Sequence, residues 1–355
     1  MAAVQGIEEM VRWLLVWLAA IASFAASSAG SAETIERSHV SVSIGSFIIG
    51  FLPLPLAHAN GWFREQGLDV DVQNFQASGT KALESLIGGS SDAVVGAYDY
   101  TARMQARGKD VRCVILLNNA PGIAVAVRKD LAERIRTVRD LKGATVGITS
   151  SGTALDYIFR KVRADAGLAP DDVRIVPIGS GKNAIAAMET GSMDAVVHQD
   201  PAITVMQRSG LAKVILDIRS IEQTRAILGG DYPFTCLYTT AGFIEQNPVT
   251  TQRLVNAFAK ALAFIHDHTA VDIADATPVE YRLGGRDVFV ATLEATKDIF
   301  PAVGRFDPAD LARPVQLIAT FEEAFRATPI RMADTYTNRF VDAVPPAAAD
   351  SGAGR

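Results

Sequence analysis

The sequence has little cysteine, little histidine and no excess of positive charge, and each shortage excludes a class of protein. Its 355 residues include 2 cysteines and 5 histidines. The histidines lack metal-ligand spacing, so we expect no metal site, and no motif indicates a cofactor. The formal net charge is −5, whereas nucleic-acid binding needs a basic face, so no nucleic-acid partner is expected. Cys113 and Cys236 lie far apart in apolar, strand-like runs, which favours two buried free thiols but leaves a disulfide open.

Long apolar runs are also scarce, and the one that stands out is at the N-terminus. The run from Trp13 to Ala26 is followed by small residues up to Ala32. This pattern predicts a secretory signal peptide over residues 1–32, too short to span a bilayer as a helix. Translation could start at Met1 or at Met10, and the sequence leaves that open. No cysteine lies near the cleavage site, so we expect a periplasmic protein without a lipid anchor.

A seven-residue pattern, Gly-Ser-x-Asp-Ala-Val-Val, occurs twice. It begins at Gly89 and again at Gly191, 102 residues later. Each copy is preceded by a Ser-Gly loop and a short amphipathic segment, and it ends in a Val-rich run. This alternation is typical of an α/β unit around a parallel sheet. Two such units predict two similar α/β lobes with a cleft between them.

The order of the predicted elements gives the domain organisation. We expect a first lobe built from residues 38–127 and 226–344, because the chain returns to it after the second lobe. Residues 128–225 form the expected second lobe, where the pattern of strands and helices restarts. Residues 345–355 are rich in alanine, proline and glycine, which predicts a disordered tail.

Three segments resemble one family of binding proteins. The segment Ala57–Val70 resembles its A-x-x-x-G-hydrophobic-F-x-x-x-G-L-D-V signature, and Asp140–Gly143 matches its D-L-K-G element. Asp194–Pro201 resembles its D-A-hydrophobic-hydrophobic-x-x-E-P element, with Asp200 where glutamate is commoner. The family comprises the solute-binding proteins of ABC importers for nitrate, sulfonates, taurine and thiamine-pyrimidine precursors. The resemblance spans roughly residues 40–330 and implies a type II periplasmic binding protein fold. In that fold each lobe is a mostly parallel sheet flanked by helices, and the ligand cleft lies between the lobes.

The resemblance implies a binding function without chemistry. We expect an exported, monomeric substrate-binding protein that captures a small anionic or zwitterionic solute, such as a sulfonate, taurine or nitrate. It would deliver that solute to the permease subunits of an ABC importer. The alternative is a binding protein for a thiamine pyrimidine precursor, or a related pyrimidine synthase. Such synthases carry a Cys-rich motif and work in the cytosol, which two isolated cysteines and an export signal argue against. The ligand, and a role in transport or in sensing, stay open.

Two loops are candidate anion-binding sites because each precedes a predicted helix. Helix N-termini present free N–H groups and a positive dipole end. The alternative is that the hydroxyl groups only cap their own helices. The candidates are Ser78, Gly79 and Thr80 in one loop and Ser150, Ser151, Gly152 and Thr153 in the other.

Polar residues also follow the two repeated strands. Tyr98 and Asp99 follow the first, while His198, Gln199 and Asp200 end or follow the second. Ligands in open α/β sheets sit at the carboxyl ends of strands, so these side chains are ligand candidates. The aspartates would suit an amine or a ring N–H. The alternative is that they cap the following helices or tie the hinge.

Four further residues complete the expected site. Phe47, Phe51 and Leu54 could form an apolar wall, with core packing as the alternative. Asn119 ends a strand at the same sheet edge and could bind the ligand, or could belong to a polar turn. No catalytic residue is predicted, because no nucleophile, base and orienting residue occur together in a recognisable motif.

Overall fold

The computed structural model describes residues 34–77 and 79–345. The predicted signal peptide, Ser78 and residues 346–355 of the predicted tail lie outside the described residues. Within the described ranges no helix has both the length and the apolar character needed to cross a bilayer.

Within residues 34–77 and 79–345, ten strands form two five-stranded sheets. The strands are β1 (His39–Ile44), β2 (Asp69–Asn74), β3 (Ala93–Ala97), β4 (Val111–Asn118), β5 (Ile123–Arg128), β6 (Thr145–Ile148), β7 (Arg174–Pro177), β8 (Ala195–Gln199), β9 (Ala212–Ile218) and β10 (Thr235–Thr240). The first sheet has the order β2-β1-β3-β10-β4 and the second the order β7-β6-β8-β5-β9. In each sheet four strands run one way and one runs against them. This is the predicted two-lobe α/β fold with mostly parallel sheets.

Helices flank both sheets. Between the strands lie α1 (Pro53–Ala59), α2 (Trp62–Glu65), α3 (Gly79–Ile87), α4 (Asp99–Ala106), α5 (Ala154–Asp165), α6 (Gly181–Glu189), α7 (Ala202–Arg208) and α8 (Ile221–Leu228). After β10 come α9 (Ala241–Gln246), α10 (Pro248–Asp267), α11 (Ala270–Ala276), α12 (Arg286–Thr296), α13 (Pro308–Phe321), α14 (Glu323–Arg326) and α15 (Arg339–Asp342). Short 3-10 turns occur between several of these elements.

The two lobes exchange one strand each. β5 follows β4 of the first sheet but pairs with β8 and β9 in the second sheet. β10 follows the second lobe but pairs with β3 and β4 in the first sheet. Each exchanged strand is the antiparallel member of its sheet. The sequence-based boundary at residue 127 leaves β5 in the first lobe, whereas its pairing puts it in the second sheet. We therefore propose that the crossing lies between Asn118 and Ile123.

The aspartate of the repeated pattern has the same structural role in both lobes. The Asp92 carboxylate accepts the backbone N–H of Ser41 at 2.9 Å, and the Asp194 carboxylate accepts that of Thr145 at 2.8 Å. In return each aspartate donates its own N–H to the carbonyl oxygen of the same partner. The repeated aspartate thus ties β3 to β1 in the first sheet and β8 to β6 in the second, which gives the recurring pattern the same structural role in both lobes.

The two cysteines form a disulfide bond, so the expectation of free thiols was wrong. Cys113 on β4 and Cys236 on β10 are both fully buried, and their Cα atoms are 5.9 Å apart. They meet because β10 returns from the second lobe to lie beside β4. Their separation of 123 residues in sequence means that the bond closes a loop that contains the whole second sheet.

Candidate functional site

A cavity of about 90 Å³, which we call the inner chamber, lies between the two sheets. Its wall contains Ser46 after β1, Ala97 at the end of β3, Thr149 after β6 and Gln199 at the end of β8. These are the carboxyl ends of parallel strands from both lobes. Ligands of open α/β sheets bind at this edge, so the cavity lies where a binding site is expected.

Equivalent positions of the sequence repeat line the inner chamber from opposite lobes. A residue of the first lobe and the residue 102 positions later both belong to the wall. The pairs are Ala77 and Gly179, Gly79 and Gly181, Gly96 and His198, and Ala97 and Gln199. The repeat therefore generates a cavity with related walls.

The two walls differ in chemistry. Where the first lobe has Gly96 and Ala97, the second has His198 and Gln199. A Cβ atom at Gly96 would lie 2.9 Å from the Tyr238 hydroxyl, so a larger residue does not fit there. At these two positions the first lobe therefore presents only a glycine and an alanine, and the second lobe supplies the polar side chains.

His198 is an uncharged member of the wall at neutral pH. Its side chain is buried, and burial lowers its pKa, which the nearby backbone of Gln199 and Gly179 only partly offsets. Nδ1 lies 2.9 Å from the backbone N–H of Gln199 and 3.1 Å from its carbonyl oxygen. Among the described residues, Nε2 has no hydrogen-bond partner of ordinary geometry.

Gln199 and Ser180 differ in how firmly the fold holds their side chains. The Gln199 amide donates to the carbonyl oxygen of Pro121 at 2.7 Å, so the segment between β4 and β5 fixes it. Ser180 is the N-cap residue of α6, yet its hydroxyl makes no capping hydrogen bond. A hydroxyl that does not serve its own helix is free to contact a ligand.

A wider outer chamber of about 310 Å³ adjoins the inner one. Ser46, Ser180, Gly181, His198 and Gln199 line both and so form the neck between them. The rest of the outer wall includes Phe47, Lys182, Glu280 and Tyr281. The ring of Phe47 meets that of Tyr281 edge to face, with centroids 4.9 Å apart.

Asp200 lines the outer chamber, but its carboxylate is already bound by other groups of the protein. Its carboxylate accepts the backbone N–H of Thr204 at 2.8 Å and a guanidinium N–H of Arg219 at 3.0 Å. The side chain is fully buried, which raises its pKa, and Arg219 opposes that rise. Of the two roles considered for Asp200, binding a ligand amine or capping the next helix, the structure favours the cap.

Four other predicted site residues line neither chamber. Three of them are buried in the core, and the fourth forms a backbone hydrogen bond. The Tyr98 hydroxyl bonds Thr335 at 2.7 Å in the core. Asp99 is buried beside Arg103, with 3.2 Å between the carboxylate and Nε. Leu54 is fully buried on α1. The backbone N–H of Asn119 donates to the carbonyl oxygen of Ile299.

In each of the two predicted anion-binding loops, one of the described residues lines the inner chamber and the others do not. Gly79 and Thr153 line the inner chamber, whereas Thr80, Ser150, Ser151 and Gly152 do not, and Ser78 lies outside the described residues. The Thr153 hydroxyl accepts the N–H of Asp156 and donates to the Ser150 carbonyl oxygen, so it caps α5. The Gly152 N–H donates to the Asp156 carboxylate at 2.8 Å. The Thr80 hydroxyl is 3.4 Å from that of Tyr100, and Ser151 is exposed.

Several lining residues escaped the sequence analysis. Ser180 and Gly181 could have been found, since they are the repeat counterparts of the predicted Ser78 and Gly79. The others carried no distinguishing pattern, because serine, threonine and aromatic residues are common in any core or turn. They include Ser46, Tyr100, Thr149, Leu155 and Phe234. Phe51, which the sequence placed in a possible apolar wall, lines the inner chamber.

The described residues contain no group of three or more histidine, cysteine, aspartate or glutamate side chains able to hold a metal ion. What the two chambers offer is hydroxyl, amide and imidazole groups, backbone N–H groups and apolar walls. This set can recognise a small solute.

A family model described as NMT1/THI5 like matches residues 49–270, more than half of the sequence. The chain belongs to this family. The putative binding protein YtlA of Bacillus subtilis is 26% identical over 298 residues, which cover 81% of this chain and 85% of YtlA. The yeast 4-amino-5-hydroxymethyl-2-methylpyrimidine phosphate synthase THI13 is 26% identical over 225 residues, covering 60% of this chain and 63% of the enzyme.

Solved structures place the NMT1/THI5-like chain among periplasmic binding protein folds. A protein from Bordetella bronchiseptica RB50 is 32% identical with a TM-score of 0.80, covering 87% of this chain and 98% of that one. The alkanesulfonate-binding protein SsuA from Xanthomonas axonopodis pv. citri, bound to MOPS, is 19% identical with a TM-score of 0.67. That match covers 86% of this chain and 99% of SsuA. The family resemblance and the fold predicted from the sequence are thereby confirmed.

Proposed function

We propose that this protein is the periplasmic substrate-binding protein of an ABC importer. It captures a small organic anion or zwitterion, of the sulfonate or taurine type, between its two lobes and delivers it to the permease. The observation that carries the proposal is the inner chamber, whose opposite walls come from equivalent positions of the two lobes. A ligand there touches both lobes and can favour the closed arrangement by its contacts to each.

The disulfide supports the export that this function requires. Disulfides form and persist in oxidising compartments such as the periplasm. Cys113 and Cys236 are joined, which agrees with the signal peptide expected at residues 1–32. The same bond counts against the pyrimidine synthase alternative. That alternative draws on the yeast relatives, but both cysteines of this chain are already paired and buried, so neither is available as a reactive thiol.

The test is a thermal-shift screen of the mature protein from Glu33, followed by calorimetry on each hit. The probes are alkyl and aryl sulfonates, taurine, nitrate and aminopyrimidines. A solute that binds only the folded state raises the melting temperature. At a concentration of 100 times its Kd, it adds about 2.7 kcal/mol to the free energy of unfolding. A shift with sulfonates or taurine supports the proposal. A shift with aminopyrimidines alone, or turnover of one, would favour the thiamine alternative, and no shift with any probe counts against a binding role for these classes.

A further inference from the structure

The inner and outer chambers differ in charge. Across the described residues, the wall of the inner chamber contains no lysine, arginine, aspartate or glutamate. Its one titratable ring with a pKa ordinarily near neutrality, His198, is uncharged because burial lowers that pKa. The Tyr100 phenol stays protonated, since burial raises its pKa to about 12. An ion held wholly inside would therefore lose its hydration without gaining an opposite charge, which is unfavourable.

Apolar groups occupy much of the inner wall. Phe51, Tyr100 and Phe234 contribute aromatic rings, and Ile48 and Leu155 contribute branched aliphatic chains. Each of these rings is at most 7% exposed, so the fold holds it in place. A preformed apolar cavity of this kind favours a hydrocarbon or aromatic group over a hydrated ion.

The charged groups are in the outer chamber: the Lys182 ammonium, the exposed Glu280 carboxylate and the Asp200 carboxylate, which is already paired with Arg219. Lys182 directly follows the neck residues Ser180 and Gly181 in sequence, whereas Glu280 lines the outer chamber alone. Lys182 follows the N-terminus of α6, is exposed, and forms no ion pair within the described part of the chain. Ser180 and Gly181 at the neck connect this lysine to the inner chamber. An acidic group at the neck would therefore meet the Ser180 hydroxyl, the first N–H groups of α6 and the Lys182 ammonium together.

We propose that the ligand is an amphiphilic organic acid that binds in one orientation. Its aromatic or branched apolar part fills the inner chamber, and its sulfonate or carboxylate lies at the neck beside Ser180 and Lys182. This inference rests on the function proposed above and narrows its ligand class. It places aryl and bulky alkyl sulfonates ahead of taurine, methanesulfonate and nitrate, which offer the inner chamber little or no apolar surface.

The test compares three probes by calorimetry: benzenesulfonate, methanesulfonate and the uncharged benzenesulfonamide. Benzenesulfonate should bind more tightly than methanesulfonate by on the order of 10- to 100-fold, from the buried ring. Lys182→Met should weaken benzenesulfonate up to about fivefold and leave benzenesulfonamide unchanged, because an exposed ammonium contributes modestly. The matched control is Lys81→Met, since Lys81 lies on the corresponding helix α3 but lines neither chamber.

A second variant tests the inner chamber. Ala97→Gln gives the first lobe the residue that its repeat counterpart, Gln199, already has. The added side chain should fill the inner chamber, abolish the preference for benzenesulfonate and spare methanesulfonate. Its melting temperature and circular dichroism check that the variant folds.

The outcomes separate the two proposals. Equal binding of methanesulfonate and benzenesulfonate, with equal loss in Ala97→Gln, would overturn the orientation and leave the binding function standing. Equal effects of Lys182→Met on the charged and uncharged probes would also overturn it. If no sulfonate binds at all, both the sulfonate class and the orientation fail.

Discussion

The backbone N–H of Ile49 donates to the carbonyl oxygen of Asp200 at 2.9 Å, which joins the loop after β1 to the residue after β8. This hydrogen bond connects the two lobes beside the candidate site. Its acceptor is positioned by the buried Asp200 carboxylate, which the Thr204 N–H and Arg219 hold from the other side. The ion pair between Asp200 and Arg219 therefore supports the contact between the lobes.

Arg219→Met should destabilise the protein by about 3–5 kcal/mol, because it leaves the buried Asp200 carboxylate without its partner. Urea unfolding of the purified variant measures the loss. Adding Asp200→Asn to the same protein should recover part of it, since an amide needs no opposite charge. The matched control is Arg225→Met, which removes an exposed pair with Asp231 and should cost no more than about 1 kcal/mol. Similar losses in both arginine variants would contradict the assigned role.

Removing the disulfide should also destabilise the fold. Replacing Cys113 and Cys236 with alanine frees a long loop in the unfolded chain, which should cost about 2–5 kcal/mol. Chemical unfolding of the variant and of the wild type under oxidising conditions gives the difference. Wild-type protein unfolded in dithiothreitol should approach the stability of the variant. A reductant that changes nothing would show that the bond does not form.

The repeated aspartates should stabilise both lobes. Asp92→Asn and Asp194→Asn each weaken the hydrogen bond from one backbone N–H to a carboxylate, so each should cost about 1–3 kcal/mol. The loss at Asp92 should be the larger, because its carboxylate also bonds the Ser41 hydroxyl and pairs with Arg37. Denaturant unfolding compares the two with Asp69→Asn, whose side chain is 83% exposed and should be close to neutral. A large loss in only one of the two repeat variants would show that the lobes do not share this tie.

The neck of the cavity should be sensitive to one added methyl group. A Cβ at Gly181 would lie 2.9 Å from that of Ala202 and 3.4 Å from Cε1 of His198, so Gly181→Ala must displace the wall. Affinity for the solute found in the screen should fall at least about tenfold, or 1.4 kcal/mol. Calorimetry on Gly242→Ala is the control, because an added Cβ there meets nothing within 4 Å. Unchanged affinity in Gly181→Ala would remove the neck from the binding site.

The predicted loop after β6 should separate stability from binding. Thr153→Ala removes the cap of α5 and should lower stability by about 1 kcal/mol. Ser151→Ala should change neither stability nor affinity, since that side chain is exposed and outside both chambers. Thermal melting and calorimetry on the two variants give both quantities. Weaker ligand binding in Ser151→Ala would show that the loop moves onto the ligand.

Local sequence patterns predicted which positions of the backbone border the cavity. They did not predict which of those side chains are instead buried among other residues of the protein. Gly79, Thr153, His198 and Gln199 were predicted from a strand end or a helix start, and all four line the inner chamber. Asp99 was predicted by the same reasoning, yet it is buried beside Arg103 and lines neither chamber. A strand end fixes where a residue lies, while its partners decide which way the side chain points.

The sequence by itself determined the two-lobe plan, because the repeat sets the same order of loop, helix and strand twice and its aspartates make the same local tie. The sequence also determined that the cavity lies at the carboxyl ends of β3 and β8, because the direction of the strands sets the position of those ends. Only the tertiary structure decided that β5 pairs in the second sheet, that Cys113 meets Cys236, and that Arg219 pairs with Asp200. Each of these contacts joins residues that are far apart in the chain. The pattern of apolar residues in a sequence indicates which residues are buried, but it does not indicate which residues they contact.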